Sequence, residues 1–298
     1  MKLLCFERDN ITQQCSPTQK GHVYSASFEF YPFHEGATYA IYKGVLSGEG
    51  PRDGQFCVVR TMLDRQAAED DWTPLLRRAD EARRLAAEFN KHLGYNAVVF
   101  EEPVLTQIEA VSDFTRLFRV FKPHDKRLKL KEFVALERYL EGEFRKPNIL
   151  SQQAAACTGS HYNSNSNEDD VYSGMAAGDH PEMTRTEERD IIQAFSHFSW
   201  LETKQSLVVC GLQGVFDEEF RTFRFCNPVI HSKDKRFGES DGATAGIQEF
   251  LAKHRCNNHC NAFKSRRELR RDHNIFSPET NDKLMPSISR FLELANNT

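Results

Sequence analysis

No apolar run in the 298 residues approaches the roughly 20 needed to cross a bilayer, so no membrane span is expected. The segment from Met1 to Asp9 has too short an apolar stretch for a secretory signal, and the expectation is an intracellular, cytoplasmic protein. Neither charge sign dominates. Lysine and arginine total 39, aspartate and glutamate 43, and the net charge is −4, which argues against nucleic acid as the main partner. The basic run Lys264 to Arg271 is local and reads as a solvated helix face. The eight cysteines lack the spacing of a disulfide framework, so reduced thiols with a metal site are the expected state. There is no internal repeat.

What is present fits one large domain or two lobes, each with its own core. Val23 to Phe30 alternates, Tyr39 to Tyr42 is aromatic and β-branched, and Phe56 to Arg60 is a short apolar run. Turn residues separate them, so residues 22 to 63 read as strands, with Gly44 to Gly54 as a hairpin connection. Thr73-Pro74 opens a helix, with Thr as cap and Pro in the first turn. Leu76, Ala79, Ala82, Ala86 and Phe89 give it a buried face, with Arg77, Arg78, Arg83 and Arg84 mostly off that face. Ala97 to Phe100, Leu117 to Phe121, Leu136 to Leu140 and Ser206 to Cys210 have strand character. Residues 151 to 187 are rich in Ser, Asn, Gln and acids and read as a mobile insertion. Gly238 to Gly246 leads into a further helix, and residues 266 to 298 suggest a C-terminal helical extension that includes Ile288, Phe291 and Leu292.

The most informative stretch is His254-Arg-Cys-Asn-Asn-His-Cys260. An imidazole and two thiols this close supply three of the four ligands of a tetrahedral zinc site. The fourth must come from elsewhere, and His197, His231 and His259 are the donors to weigh.

The second half carries Ala194-Phe-Ser-His-Phe-Ser-Trp200, then Leu207-Val-Val-Cys-Gly-Leu-Gln-Gly-Val215 and Asn227-Pro-Val-Ile-His231. Phe237-Gly238, Gly246-Ile247 and the His254/Cys256/Cys260 cluster follow. The first half carries Pro32-Phe-His-Glu-Gly-Ala37, Phe89-Asn90 and Leu136-Glu-Arg-Tyr-Leu-Glu-Gly-Glu-Phe144. In order and spacing these resemble the alpha-kinases, atypical protein kinases that move the γ-phosphate of ATP to Ser or Thr with Mg²⁺. The resemblance covers roughly residues 25 to 265.

It implies an α+β, two-lobed kinase-like fold: an N-terminal antiparallel sheet with a helix (about 20–140) and a zinc-stiffened C-terminal lobe (about 141–265). It makes His197 the fourth zinc ligand beside His254, Cys256 and Cys260, on an internal strand tied to the C-terminal segment. His231 falls at a family histidine that does not bind zinc, and His259 is expected to point away. For nucleotide binding it nominates Gly36 in the first turn, Arg60 where the family has a phosphate-binding Lys, Glu137 at the lobe junction beside the adenine, and Asp241 in the glycine-containing loop. Tyr39 stands where a cationic residue is usual. For catalysis it nominates Arg60, Gln213 and Asn227.

Besides Arg60 and Tyr39, two acidic positions of the family are missing. Gly211 replaces an Asp, and Asn227 replaces the Asp that ligates the metal. Mg²⁺ is normally held by one or two carboxylates together with phosphates, so losing both weakens metal-assisted transfer. Asp217, Glu218 and Glu219 offer a compensating acid only if their loop swings inward; a solvated acidic loop is the plainer reading. The expected function is therefore a pseudokinase-like domain that holds ATP or a protein partner. The alternatives are an active Ser/Thr kinase using Arg60, Gln213 and Asn227, and a zinc-stabilised interaction module without nucleotide. The expected cofactors are Zn, with ATP and Mg where nucleotide binding persists. The protein substrate or partner is left open.

Overall fold

The computed structural model describes residues 10–112, 128–145, 185–261 and 263. The expected strand Leu117–Phe121, residues 151–184 of the expected insertion, and the C-terminal extension lie outside these. Contacts group Met1–His254 as one compact unit and Arg255–Thr298 as another.

The first unit opens with five strands: β1 (Asn10–Thr12), β2 (Val23–Phe28), β3 (His34–Glu35), β4 (Tyr39–Glu49) and β5 (Phe56–Met62). After helix α1 (Thr73–Leu93) come β6 (Val98–Phe100), β7 (Val104–Ala110) and β8 (Phe133–Arg138). The main sheet runs β2-β1-β7-β8-β5-β4-β3, and β2 also pairs with β4. Every pairing in it is antiparallel. The β2–β4 pairing closes six of the strands into a ring, which removes open edges that would otherwise invite association.

Alternation decides what each face of this ring does. Tyr24, Ala26, Phe28, Tyr42, Leu46, Cys57, Val59, Ile108 and Leu136 form one apolar cluster. The neighbouring residues on β4, β5 and β8 belong to the other face. There Met62, Trp72, Leu75 and Ala135 make a second cluster with Tyr39 against it. Arg60 and Glu137 alternate with Val59 and Leu136 and so share that second face.

The expected Gly44–Gly54 connection is shorter than the sequence suggested, because β4 continues to Glu49. Gly44 and Gly48 read as turn residues but are close-approach positions. A Cβ on Gly44 would lie 2.7 Å from the Ser27 carbonyl oxygen, and one on Gly48 would overlap the Val23 carbonyl. Here glycine lets β2 and β4 pair.

Helix α1 runs 21 residues, with Pro74 in its first turn. Thr73 is already helical and no side chain caps the start. It ends at Gly94, which has φ +80° and donates its N–H to Asn90. The buried face is Leu75, Arg78, Ala79, Ala82, Leu85, Ala86 and Phe89. Leu75 therefore faces inward in place of Leu76, and Arg78 is part of the buried face, contrary to the expectation for the arginines.

The rest of this unit comprises α2 (Arg185–Glu202), β9 (Leu207–Cys210), β10 (Gln213–Asp217), β11 (Thr222–Cys226), β12 (Val229–Ser232) and α3 (Ala243–Lys253). His197 lies on α2, not on a strand: apolar residues at Ile191, Ile192, Phe195 and Phe198 follow helical spacing. Strands β10, β11 and β6 form a small sheet in which β6 runs parallel to β11, and β12 pairs with β9. Phe89 meets Phe195 and Phe198 at centroid separations of 5.5 and 5.4 Å. The Asn90 amide bonds both the N–H and the carbonyl of Val98, fixing β6 to α1. The second unit contributes, among the described residues, the short α4 (Asn258–Asn261).

Phe89 is fully buried and joins α1 to α2. Phe89→Ala is expected to lower unfolding free energy by about 3–5 kcal/mol. Urea denaturation followed by circular dichroism checks this, and a loss below about 1 kcal/mol would contradict the packing described.

Candidate functional site

Strand pairing places Arg60 opposite Ala135 and Val58 opposite Glu137, so Arg60 and Glu137 are diagonal neighbours on one face. Arg60 Nε lies 2.9 Å from Glu137 Oε1, and its Nη2 donates to Oε2 at 3.2 Å. Both residues are at most 5% exposed. The Arg60 guanidinium also lies over the Tyr39 ring, 5.1 Å from its centroid, and Tyr39 stacks on Trp72 at 5.8 Å. Burial lowers the Arg60 guanidinium, but the combined pull of Glu137, Cys226 and Tyr39 holds the group above its ordinary value.

Arg78 enters the same region from α1. Its Nη1 donates to the Phe237 carbonyl at 2.9 Å, and its Nη2 reaches Asn227 Oδ1 at a long 3.4 Å. Its Nε has no acceptor. Burial lowers the Arg78 guanidinium below its ordinary value against the opposing pull of Tyr39, and the positive charge of Arg60 lowers it further. Asn227 has φ +42°, a left-handed conformation that Asn tolerates better than most residues. Cys226, beside it, donates its thiol to the Gln213 carbonyl at 3.8 Å. Burial, then the negative charge of Glu137, push that thiol up to about 12, so it stays protonated at neutral pH.

The nominated residues thus fall into distinct settings. Arg60, Glu137 and Tyr39 form one group, and Arg78 links it to Asn227. Gln213 is half-buried at the start of β10 and pairs in register with Cys226. Gly36 donates its N–H to the Tyr39 carbonyl and closes the turn between β3 and β4. Asp241 is 1% exposed, and its carboxylate accepts from the Ser232 N–H and hydroxyl and from the N–H groups of Phe237 and Ala243. That carboxylate ties its own loop to the start of α3. Asp217 pairs with Arg224 at 3.0 Å in the β10–β11 hairpin, and Glu218 and Glu219 are exposed. His231 accepts from the Gly242 N–H at 2.9 Å, and Gly242 and Gly246 pack against its ring. Burial lowers its pKa.

A second cluster surrounds the end of α3. His254 follows the helix in extended conformation and stacks on Phe250. The rings of His197 and His254 are 4.5 Å apart, centroid to centroid. Cys256 and Cys260 follow two and six residues on, in the second unit. Gln193 Oε1 lies 3.2 Å from His254 Nδ1 and suits the role of an orienting partner, leaving Nε2 for a metal.

Arg78 is the residue that sequence reasoning missed. The signal was available: it stands three residues after Leu75 and four before Ala82, on the buried helical face. Its charge disguised that position.

The Alpha-kinase family model matches residues 34–260. Among curated proteins, the Dictyostelium discoideum alpha-protein kinase vwkA is 28% identical over 182 residues, 60% of this chain and 22% of that protein. The Homo sapiens transient receptor potential cation channel subfamily M member 6 is 30% identical over 148 residues, 50% of this chain and 6% of that protein. The chain therefore spans less than a quarter of either relative. Among solved structures, the inactive alpha-kinase domain of myosin heavy chain kinase A in complex with ATP superposes with a TM-score of 0.55 at 18% identity. That match covers 87% of this chain and 98% of the other. The AMP-PNP complex of the same kinase domain also gives 0.55.

Gly211 has φ +59°, and a Cβ there would lie 2.6 Å from Val229 Cγ2. Gly211→Asp is therefore expected to cost about 1–3 kcal/mol from strain and overpacking. Adding Val229→Ala recovers the steric part of that loss. Urea titration of the two variants checks this, and an unchanged midpoint for Gly211→Asp alone would contradict it.

Proposed function

Since the chain belongs to the alpha-kinase family, we propose that it is a pseudokinase-like domain that holds a nucleotide and transfers phosphate poorly or not at all. One observation carries the reading. Position 211 is a glycine whose Cβ space is filled by Val229, and position 227 is an asparagine facing the Arg78 guanidinium. Phosphoryl transfer depends on positioning and on neutralising charge with a metal held by carboxylates. Here the side-chain oxygen of Asn227 is shared with a cation, and Glu137 is engaged by Arg60.

What supports nucleotide binding is the fold shared with the kinase domain solved with ATP, together with the buried arginines. Arg60 keeps positive charge on the strand face where the family carries Lys, and Glu137 stands one strand away. Gln213 is the residue left to orient an attacking hydroxyl. A bound divalent metal would neutralise the phosphates; the residues positioned to meet it are Asn227 and Gln213, both neutral, so the fit is poor. The partner or substrate is a protein, as for kinases generally.

The His197, His254, Cys256 and Cys260 set is read as a structural Zn²⁺ site. Two thiolates and two imidazoles suit zinc, and four protein ligands leave no open position for catalysis. When bound, the metal would add folding free energy by linking α2 to the segment after α3.

The nucleotide reading is tested by incubating the purified chain with Mg·ATP and a basic Ser/Thr peptide. The expected outcome is thermal stabilisation by ATP with phosphate incorporation at the level of the protein-free control. Incorporation above that control, abolished by Gln213→Ala, would establish an active kinase. For the metal, elemental analysis is expected to give about one zinc per chain, with lower thermal stability after chelation and in Cys260→Ser. Less than about half an equivalent would count against the four-ligand site.

A further inference from the structure

Arg78 is buried to 7% exposure, yet the groups it bonds, the Phe237 carbonyl, the Asn227 amide oxygen and the Tyr39 hydroxyl, are all neutral, and the one acid that acts on it is Glu137. Among the described residues no carboxylate pairs with it. A buried guanidinium without a counter-charge is costly, so a fold that keeps one gains when an anion arrives. The nearest acid in the region, Glu137, is held in a two-contact pair by Arg60.

Asn227 sharpens the point. Its side-chain oxygen is where a metal ligand would be expected, and a guanidinium donor stands 3.4 Å from it. A divalent cation entering there would meet a fixed positive charge and one neutral oxygen. A phosphate chain entering there would meet the Nη groups of a planar, permanently charged guanidinium, whose present acceptors are neutral and whose geometry suits phosphate oxygens.

We propose that Arg78, with Asn227 beside it and Arg60 behind Tyr39, forms a metal-independent site for a polyphosphate anion. In this site the Arg78 guanidinium takes the charge-neutralising part that a divalent cation plays in an active kinase. The inference rests on reading this region as a nucleotide site, and it adds that the nucleotide binds free of metal. The phosphate chain is the recognised chemistry, and its source is either a nucleoside triphosphate or an inorganic polyphosphate.

The test is isothermal titration of the whole chain with ATP and, separately, with inorganic tripolyphosphate, each in EDTA and in excess Mg²⁺. ATP is expected to bind in EDTA within about twofold of its affinity in Mg²⁺. Arg78→Gln is expected to weaken binding in EDTA at least about tenfold. Arg78 also packs α1, so Asn227→Asp serves as the near-isosteric control. It should pair with Arg78, weaken binding in EDTA about tenfold and restore dependence on Mg²⁺, with an unchanged circular dichroism spectrum. An unaltered chain that binds ATP at least about tenfold tighter with Mg²⁺ would overturn the proposal. So would a folded Asn227→Asp that binds as before in EDTA. Tripolyphosphate binding without ATP binding would keep the anion site and remove the nucleotide reading. No binding of either would remove both.

Discussion

Arg60 and Arg78 lie buried around Tyr39, and the carboxylate that answers them directly, Glu137, is bonded to only one. This imbalance constrains everything around it. The β5–β8 pairing sets Arg60 and Glu137 on the same face of the ring of strands. Helix α1 delivers Arg78 from the other side, fixed at its far end by Phe89 and Asn90. The same helix thus fastens β6 and α2 and carries a cation to Asn227.

The substitutions that depart from the family are mutually consistent. Gly211 lacks a side chain, and Val229 fills the space one would take. Asn227 lacks a charge, and Arg78 faces its oxygen. An acid placed at position 211 would clash with Val229, and one placed at position 227 would form an ion pair with Arg78.

Much of the fold was legible because it rests on local periodicity. Val23–Phe28 alternates and is a strand, and Ala79, Ala82, Ala86 and Phe89 recur at helical steps and lie on a buried helix face. The family match over residues 34–260 accords with motifs readable in order along the chain. Harder to read were residues whose roles come from tertiary approach. Gly44 and Gly48 signal turns in isolation, but they are needed because β2 crosses close to β4. His197 sits in a Phe- and Ser-rich segment that local character alone does not assign, and its helix is fixed by packing on β9 and α1. Asp241 was nominated for a ligand, yet its carboxylate accepts from two donors of Ser232 on β12 and from the Phe237 and Ala243 N–H groups. Arg78 was misread because charge was taken as exposure, although the helical spacing already placed it inward.

The central claim is that this protein supplies no effective ligand set for a divalent metal at Asn227. Electron paramagnetic resonance of Mn²⁺, titrated into the chain saturated with ADP, tests it most directly. The account predicts that the protein–ADP complex binds Mn²⁺ no more tightly than ADP does in solution. Mn²⁺ held at least about tenfold more tightly by the complex, and released in Asn227→Ala, would contradict it.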